Sequence, residues 1–225
     1  MLRPPRFLAD QLARPRGLFG RLFMGRFLNA LNSDFNNLIL QDLGIEPTSR
    51  VLEVGFGGGA LLRSLCDRSS MGFVAGLELS GEMVARSRLL LRNQIGAGRL
   101  ELRQGSVESM PFEDEQFDRA CAVNAIYFWP DLVSAMREFR RILRPGGLLV
   151  LGFLSEEDIG RAGLDRHGFQ RHAADAIEKA LQATEFETVS LNSGSDTRGT
   201  YFSLVARRSS PLATTGLHVD RVIQT

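Results

Sequence analysis

A glycine-rich turn between an apolar strand and a helix constrains this chain more than any other feature. The apolar run of residues 51–54 predicts a buried parallel strand, the glycines of 55–59 a sharp turn, and the spacing of 60–65 a helix. Such a turn exposes backbone N–H groups at the start of the helix, and a ligand can approach the backbone without meeting Cβ atoms. The stretch therefore predicts a nucleotide-binding turn at the carboxyl end of the strand.

Two kinds of ligand fit the spacing of this turn. Gly55-x-Gly57-x-x-Ala60 satisfies the dinucleotide fingerprint G-x-G-x-x-G/A. Glu53, however, stands two residues before the first glycine, where a carboxylate would repel a pyrophosphate. The same carboxylate suits an ammonium, a sulfonium and ribose hydroxyls, which S-adenosylmethionine (SAM) carries. The turn alone leaves both ligands open.

A second acid follows the second predicted strand. Residues 72–77 are apolar and end at Glu78, which lies 23 residues beyond Gly55. An acid at this place accepts the ribose hydroxyls in both dehydrogenases and SAM enzymes, so Glu78 indicates an adenosine without choosing the enzyme class. Met83, on the first turn of the helix that Ser80 is expected to cap, is placed to cover an adenine face.

The order of the elements predicts the fold class. Strands and helices alternate as far as residue 186, and two strands then follow in succession. This order predicts an α/β fold with a Rossmann-like, doubly wound, mostly parallel seven-stranded sheet that ends in a C-terminal antiparallel hairpin. From Leu18 to Leu31 the apolar residues recur at helical spacing among arginines, which predicts an amphipathic helix. That helix is interpreted as a lid on the domain or, alternatively, as a membrane-surface helix.

Composition limits the remaining function classes. A net charge of +1 gives no global attraction for nucleic acid, and we expect no nucleic-acid partner. Cys66 and Cys121 are the only cysteines, too few for a disulfide framework or a zinc site, so we expect no metal. No apolar run approaches the roughly 18 residues of a membrane span, and the N-terminus lacks the apolar core of a signal peptide. We therefore expect a cytoplasmic protein, either a monomer or a homodimer.

Four sequence blocks resemble the class I SAM-dependent methyltransferases, specifically the small bacterial methyltransferase-11-like group. They are VLEVGFGGGALL (51–62), GLELSGEMVARSR (76–88), GSVESMPFEDEQFD (105–118) and EFRRILRPGGLLVL (138–151). A dehydrogenase has no reason to carry the last two. With this resemblance the chain divides into an N-terminal helical cap (1–47), a SAM-binding methyltransferase domain (48–208) and a flexible tail (209–225).

The resemblance implies a set of cofactor contacts. Glu53 would lie near the methionine end of SAM, and Glu78 would hold the ribose diol. Leu79 and Met83 would flank the adenine. The glycines that would let the backbone wrap the methionine moiety are Gly55, Gly57 and Gly59.

One position departs from the family pattern. The loop after the third strand usually carries an Asp after its glycine, which pairs with the adenine amino group, and here that residue is Ser106. We expect the backbone of Val107 and the side chain of Glu108 to share this contact. Asn124 matches the position, at the end of the fourth strand, that faces the amino-acid moiety of SAM or the acceptor.

Three residues are predicted on the acceptor side. Tyr127 and Trp129 belong to an aromatic cluster just past the fourth strand, where they form either a wall against the acceptor or part of the core. His167 lies in an Arg-rich segment before the last helix, as an acceptor contact or general base, or in an exposed polar loop. A base is needed only if the acceptor must lose a proton, because the leaving group of methyl transfer is a neutral thioether.

The resulting hypothesis is a SAM-dependent methyltransferase that acts on a small molecule and leaves S-adenosylhomocysteine. The acceptor atom, whether O, N, S or C, stays open. One alternative is a lipid-like acceptor, a quinone precursor or a phospholipid headgroup, reached at a membrane surface through the basic, apolar N-terminus. The other is a SAM-binding protein without catalysis.

Overall fold

The computed structural model describes residues 33–162, 169–196 and 199–210. The predicted helix of residues 18–31, His167 and the tail from residue 211 lie outside these ranges. Within them the helices are α1 (Ser33–Asp42), α2 (Ala60–Arg68), α3 (Gly81–Leu90), α4 (Arg92–Gly96), α5 (Leu132–Ile142), α6 (Glu156–Ala162) and α7 (Ala174–Gln182). The strands are β1 (Arg50–Val54), β2 (Phe73–Glu78), β3 (Leu100–Gln104), β4 (Phe117–Val123), β5 (Leu143–Leu154), β6 (Phe186–Asp196) and β7 (Gly199–Arg208).

These strands form one seven-stranded sheet in the order β3-β2-β1-β4-β5-β7-β6. The pairs among β1 to β5 are parallel, and β7 runs antiparallel to both β5 and β6. The predicted mostly parallel sheet with an antiparallel C-terminal pair is confirmed. Strand β1 has β2 as its neighbour on one side and β4 on the other, so the direction in which strands are added to the sheet reverses at β1. In open α/β sheets, ligands bind in the crevice at this point, which here lies at the carboxyl ends of β1 and β4.

Two hydrophobic clusters cover the two faces of the sheet. Along β1 the side chains alternate, so that Val51 packs into one cluster while Leu52 and Val54 pack into the other. The first cluster is closed by apolar residues of α1, α2 and α3, and the second by those of α5, α6 and α7. Because both faces are buried, β1 has no polar face, and Glu53 is an exception that requires explanation.

Strand β5 begins earlier than the sequence indicates. The local pattern predicts its start at Leu148, after Pro145-Gly146-Gly147, whereas the strand begins at Leu143. Leu143 pairs with Phe117, and the register then shifts before Leu148 pairs with Arg119. Gly146, with φ of 76°, lets the chain bulge between the two pairs.

Candidate functional site

The glycine turn after β1 adopts the left-handed backbone that glycine favours. The φ angles are 76° at Gly55, 47° at Gly57 and 75° at Gly59. A Cβ atom at Gly55 would lie 2.5 Å from the Cβ of Ala125, whereas one at Gly57 would meet no atom within 4 Å. The Gly55 side of the turn is therefore closed by protein, and the Gly57 side is open for a ligand.

Glu78, at the end of β2, ties the glycine turn to the start of α3. Its Oε2 accepts a hydrogen bond of 3.0 Å from the Gly57 N–H, and its Oε1 accepts one of 2.9 Å from the Ser80 N–H. Ser80 caps α3 as predicted, since its Oγ accepts from the Met83 N–H at 3.4 Å. The half-buried carboxylate thus lies at the open side of the turn, beside the predicted ribose site.

Glu53 is a buried acid in the same crevice. It is 4% exposed, and its Oε2 accepts no hydrogen bond from the described residues. Burial, and secondarily the nearby charge of Glu78, raises the pKa of Glu53 from 4.5 to about 8. The carboxyl is therefore neutral at pH 7, and a ligand cation would stabilise its ionised form.

Asn124 lies just past the end of β4, with φ of 55°. Its N–H donates to the Gly152 carbonyl at 2.8 Å, and its Oδ1 accepts from the Tyr127 hydroxyl at 3.2 Å. The same hydroxyl accepts a hydrogen bond from the Leu154 N–H at the end of β5. Tyr127, although buried, therefore joins the carboxyl ends of β4 and β5 around Asn124.

The aromatic cluster divides between the core and the surface. Trp129 is buried and packs against Phe139 of α5 at a ring-centroid distance of 5.7 Å, which favours the core-packing alternative for this residue. Phe128 is 37% exposed and lies 4.7 Å from the ring of Phe169. The outward-facing member of the predicted wall is therefore Phe128, which the sequence pattern did not single out.

The predicted adenine side contains both exposed and buried residues. Leu79 is 67% exposed, a large apolar side chain at the rim of the crevice, whereas Met83 and Val107 are buried. The Ser106 Oγ accepts a 3.3 Å hydrogen bond from the N–H of Glu108, whose side chain is exposed. The Ser106 hydroxyl is thus already bonded within its own loop.

A charged pair on α5 braces this loop, and sequence reasoning missed it. The Glu138 Oε2 accepts from the Met110 N–H at 2.6 Å, while Arg141 donates to the carbonyls of Met110 and Phe112 at 2.9 and 2.7 Å. The hydrogen bonds from Arg141 lower the pKa of Glu138. The three-residue spacing of the pair on a helix was its only local signal.

His172 lies beside the segment that carries the aromatic cluster. Its imidazole donates a hydrogen bond to the Ile126 backbone carbonyl, and its buried Nε2 has no partner among the described residues. Burial lowers the pKa of His172, which keeps the ring neutral at pH 7. The predicted acceptor residue His167 lies in the preceding undescribed segment.

A Tyr127→Phe variant should lose about 1–3 kcal/mol of unfolding free energy, because the Leu154 N–H and the Asn124 Oδ1 both lose a buried partner. Urea denaturation measures this loss, and calorimetry should show unchanged affinity for S-adenosylhomocysteine. Wild-type stability would contradict the role of the hydroxyl as a link between strands. A large loss of nucleoside affinity would show that it also positions Asn124 for the ligand.

The crevice fits SAM better than a dinucleotide. A pyrophosphate at the turn would meet the negative charge of Glu78, whereas the ammonium, sulfonium and ribose of SAM complement Glu78 and the buried acid Glu53. The backbone at Gly57 has space for such a ligand, and the Glu53 Oε2 is free to accept a hydrogen bond from its ammonium. No group of His, Cys, Asp and Glu side chains in the described ranges could hold a metal ion.

Comparisons with known proteins agree with this chemistry. Residues 52–151 match the family described as a methyltransferase domain. The chain is 29% identical to a sterol 24-C-methyltransferase of Gibberella zeae over 130 residues, which cover 58% of this chain and 34% of that protein. It is 27% identical to a ubiquinone/menaquinone biosynthesis C-methyltransferase of Geotalea daltonii, over 57% of this chain and 56% of that protein.

The fold is also shared with solved structures. A chain from the complex between the Haloferax volcanii Trm112 methyltransferase activator and a methyltransferase superposes with a TM-score of 0.75 and 20% identity. The superposition covers 84% of this chain and 94% of that one. By contrast, the chain spans only 34% of the sterol relative and 56% of the quinone relative. The family match of residues 52–151 contains the glycine turn and extends from β1 into β5.

Proposed function

We propose that residues 52–151, which match a methyltransferase domain, belong to a class I SAM-dependent methyltransferase that transfers a methyl group from SAM to a small organic acceptor. The observation that carries this proposal is the open glycine turn flanked by two carboxyl groups, one buried and unpaired at Glu53 and one half-buried at Glu78. SAM is the cofactor of the domain, and it supplies an electrophilic methyl group on a sulfonium. S-Adenosylhomocysteine is the product that remains.

The residues of the chain contribute binding and orientation. Glu53 would receive the cationic methionine end, the open backbone at Gly57 would receive the rest of that moiety, and Glu78 would hold the ribose. Leu79 would cover one face of the adenine, with Met83 and the loop of residues 106–108 on the other sides. In-line displacement at carbon is accelerated chiefly by alignment of the reacting atoms and exclusion of water, so these positioning contacts constitute the catalysis.

For the acceptor we propose a small molecule with an apolar or planar body. Phe128 is exposed, packs against Phe169 and follows the carboxyl end of β4 by a few residues, so we assign these two rings to the apolar wall of the crevice. The names of the two relatives describe methyl transfer to a sterol and in quinone biosynthesis, both of which involve such molecules. The buried hydroxyl of Tyr127 would hold Asn124 toward the acceptor, and Trp129 would support the wall from the core.

The lipid-surface alternative depends on residues 1–31, which lie outside the described ranges. Within the described ranges, no helix has the length and apolar character needed to cross a bilayer. No described contact favours a membrane surface over a dissolved small molecule.

Parallel titrations with SAM, S-adenosylhomocysteine and NADH test the cofactor. We expect both sulfur nucleosides to bind with micromolar affinity and NADH to give no heat. Binding of NADH alone would overturn the proposal. Formation of S-adenosylhomocysteine from SAM with a panel of sterols, quinone precursors and small amines would then test transfer, and no turnover with any acceptor class would favour a SAM-binding protein without catalysis.

A Glu78→Ala variant should bind S-adenosylhomocysteine about 1–3 kcal/mol more weakly, because the ribose would lose its acceptor and the Gly57 N–H its partner. Calorimetric titration measures the change. Glu82→Ala is the matched control, since Glu82 is an exposed acid on the first turn of α3. Equal affinity of the two variants would refute the assignment of Glu78 to the ribose.

A further inference from the structure

Glu53 is a buried acid, and no basic group among the described residues contributes to its pKa. It stands on β1 between Gly76 of β2 and Cys121 of β4, and it is 4% exposed. Its Oε2 receives no hydrogen bond from any described residue. A buried carboxylate oxygen without a hydrogen-bond partner disfavours the charged form of the acid, so the group is expected to retain its proton.

The titratable groups around Glu53 favour the same state. Glu78, at the end of β2, contributes negative charge that disfavours a second one. Cys121 on β4 and Cys66 on α2 are buried thiols whose pKa values are raised, to about 11 for Cys66, so they remain uncharged at neutral pH. No described basic group contributes to the shift of the Glu53 pKa. Among the described residues, no group therefore supplies a counter-charge for the ionised form of Glu53.

We propose that Glu53, the acid assigned above to the cationic end of the ligand, releases its proton to solvent when a ligand bearing an ammonium group binds. The inference rests on the proposed function, since the ammonium is that of the SAM methionine moiety. Before binding, the crevice contains a carboxylic acid. After binding, it contains a carboxylate paired with the ammonium, and the proton has passed to the buffer.

Two consequences follow for affinity. Binding of an ammonium-bearing nucleoside should strengthen by up to about tenfold for each pH unit from 6 toward 8, and then level off as Glu53 ionises in the free protein. A nucleoside without the ammonium should show no such dependence. A permanently ionised Glu53 would give equal affinity across this range.

The experiment compares S-adenosylhomocysteine with 5′-methylthioadenosine, which retains the adenosine and the sulfur but lacks the amino-acid group. Each is titrated calorimetrically at pH 7 in phosphate and in Tris, whose ionisation enthalpies differ, and the difference in heat counts the protons exchanged. We expect release of about one proton with S-adenosylhomocysteine and none with methylthioadenosine. Equal proton counts for the two nucleosides would overturn the release of a proton by Glu53 and leave the proposed function intact.

Two variants complete the design. Glu53→Gln preserves the shape of the neutral acid, so it should bind methylthioadenosine normally, release no proton with S-adenosylhomocysteine and bind that ligand at least tenfold more weakly at pH 8. Glu82→Gln should behave as wild type. Normal methylthioadenosine binding shows that Glu53→Gln is folded, and unchanged proton release by that variant would contradict the proposal. Failure of both nucleosides to bind the wild-type protein would instead refute the proposed function.

Discussion

A Gly55→Ala variant should lose about 2–5 kcal/mol of unfolding free energy and show no measurable binding of S-adenosylhomocysteine. The φ angle of 76° at this position costs an alanine about 1–2 kcal/mol. The new Cβ would also stand 2.5 Å from the Cβ of Ala125, and relieving such overpacking costs about 1–3 kcal/mol more. Any relief must move the turn or the segment after β4, and both line the crevice. Urea denaturation and calorimetry measure the two effects.

Two further variants separate the backbone cost from the steric one. Gly57→Ala shares a positive φ of 47° but meets no atom within 4 Å, so it should lose only the backbone part, about 1–2 kcal/mol. Adding Ala125→Gly to Gly55→Ala removes the clash, so the double variant should regain the steric part of the lost unfolding free energy, about 1–3 kcal/mol. A double variant no more stable than Gly55→Ala would show that the contact with Ala125 is not the cause.

The sheet could be predicted from the sequence because its elements are encoded locally. The buried run before Gly55, the second run ending at Glu78 and the late pair of strands each have a period and a boundary that sequence alone reveals. The early start of β5 could not be predicted in this way, because it depends on the pairing of Leu143 with Phe117. Pro145-Gly146-Gly147 indicates a break by local rules, and the strand instead continues through it as a bulge.

The candidate site was predictable in its position but not in its internal bonding. The carboxyl ends of β1 and β2 meet at one edge, so the proximity of Glu53 and Glu78 follows from parallel strands. That Glu78 is already bonded to the N–H groups of Gly57 and Ser80, while Glu53 remains unpaired, depends on side-chain geometry in three dimensions. Spacing alone cannot show which of two neighbouring acids has partners.

The aromatic cluster shows a second limit of the same kind. Tyr127, Phe128 and Trp129 are consecutive, and a short turn sends only Phe128 outward. The brace of Arg141 and Glu138 likewise acts on Met110, about thirty residues away, so its function is invisible in the helix that carries it. In both cases the chemistry is local in space but not along the chain.

Stability near and above neutral pH should be limited by Glu53. The native pKa of about 8 exceeds the ordinary value of 4.5, so between these values the native state binds more protons than the unfolded state. Under this condition the unfolding free energy falls as pH rises, by at most about 1.4 kcal/mol for each pH unit in the window. Below pH 4.5 the acid is protonated in both states and contributes no such dependence, and above pH 8 the loss is complete.

Glu53→Gln removes this titration while keeping a neutral side chain of similar shape. The unfolding free energy of the variant minus that of the wild type should therefore increase steadily from pH 5 to pH 8. Urea denaturation of both proteins at several pH values gives the difference curve, in which titrations common to the two chains cancel. Any constant cost of burying the amide shifts this curve without changing its slope. The exposed control Glu82→Gln should give a flat curve. A flat curve for Glu53→Gln as well would mean that Glu53 ionises in the native protein as it does in the unfolded chain, and that a counter-charge is already present before any ligand binds.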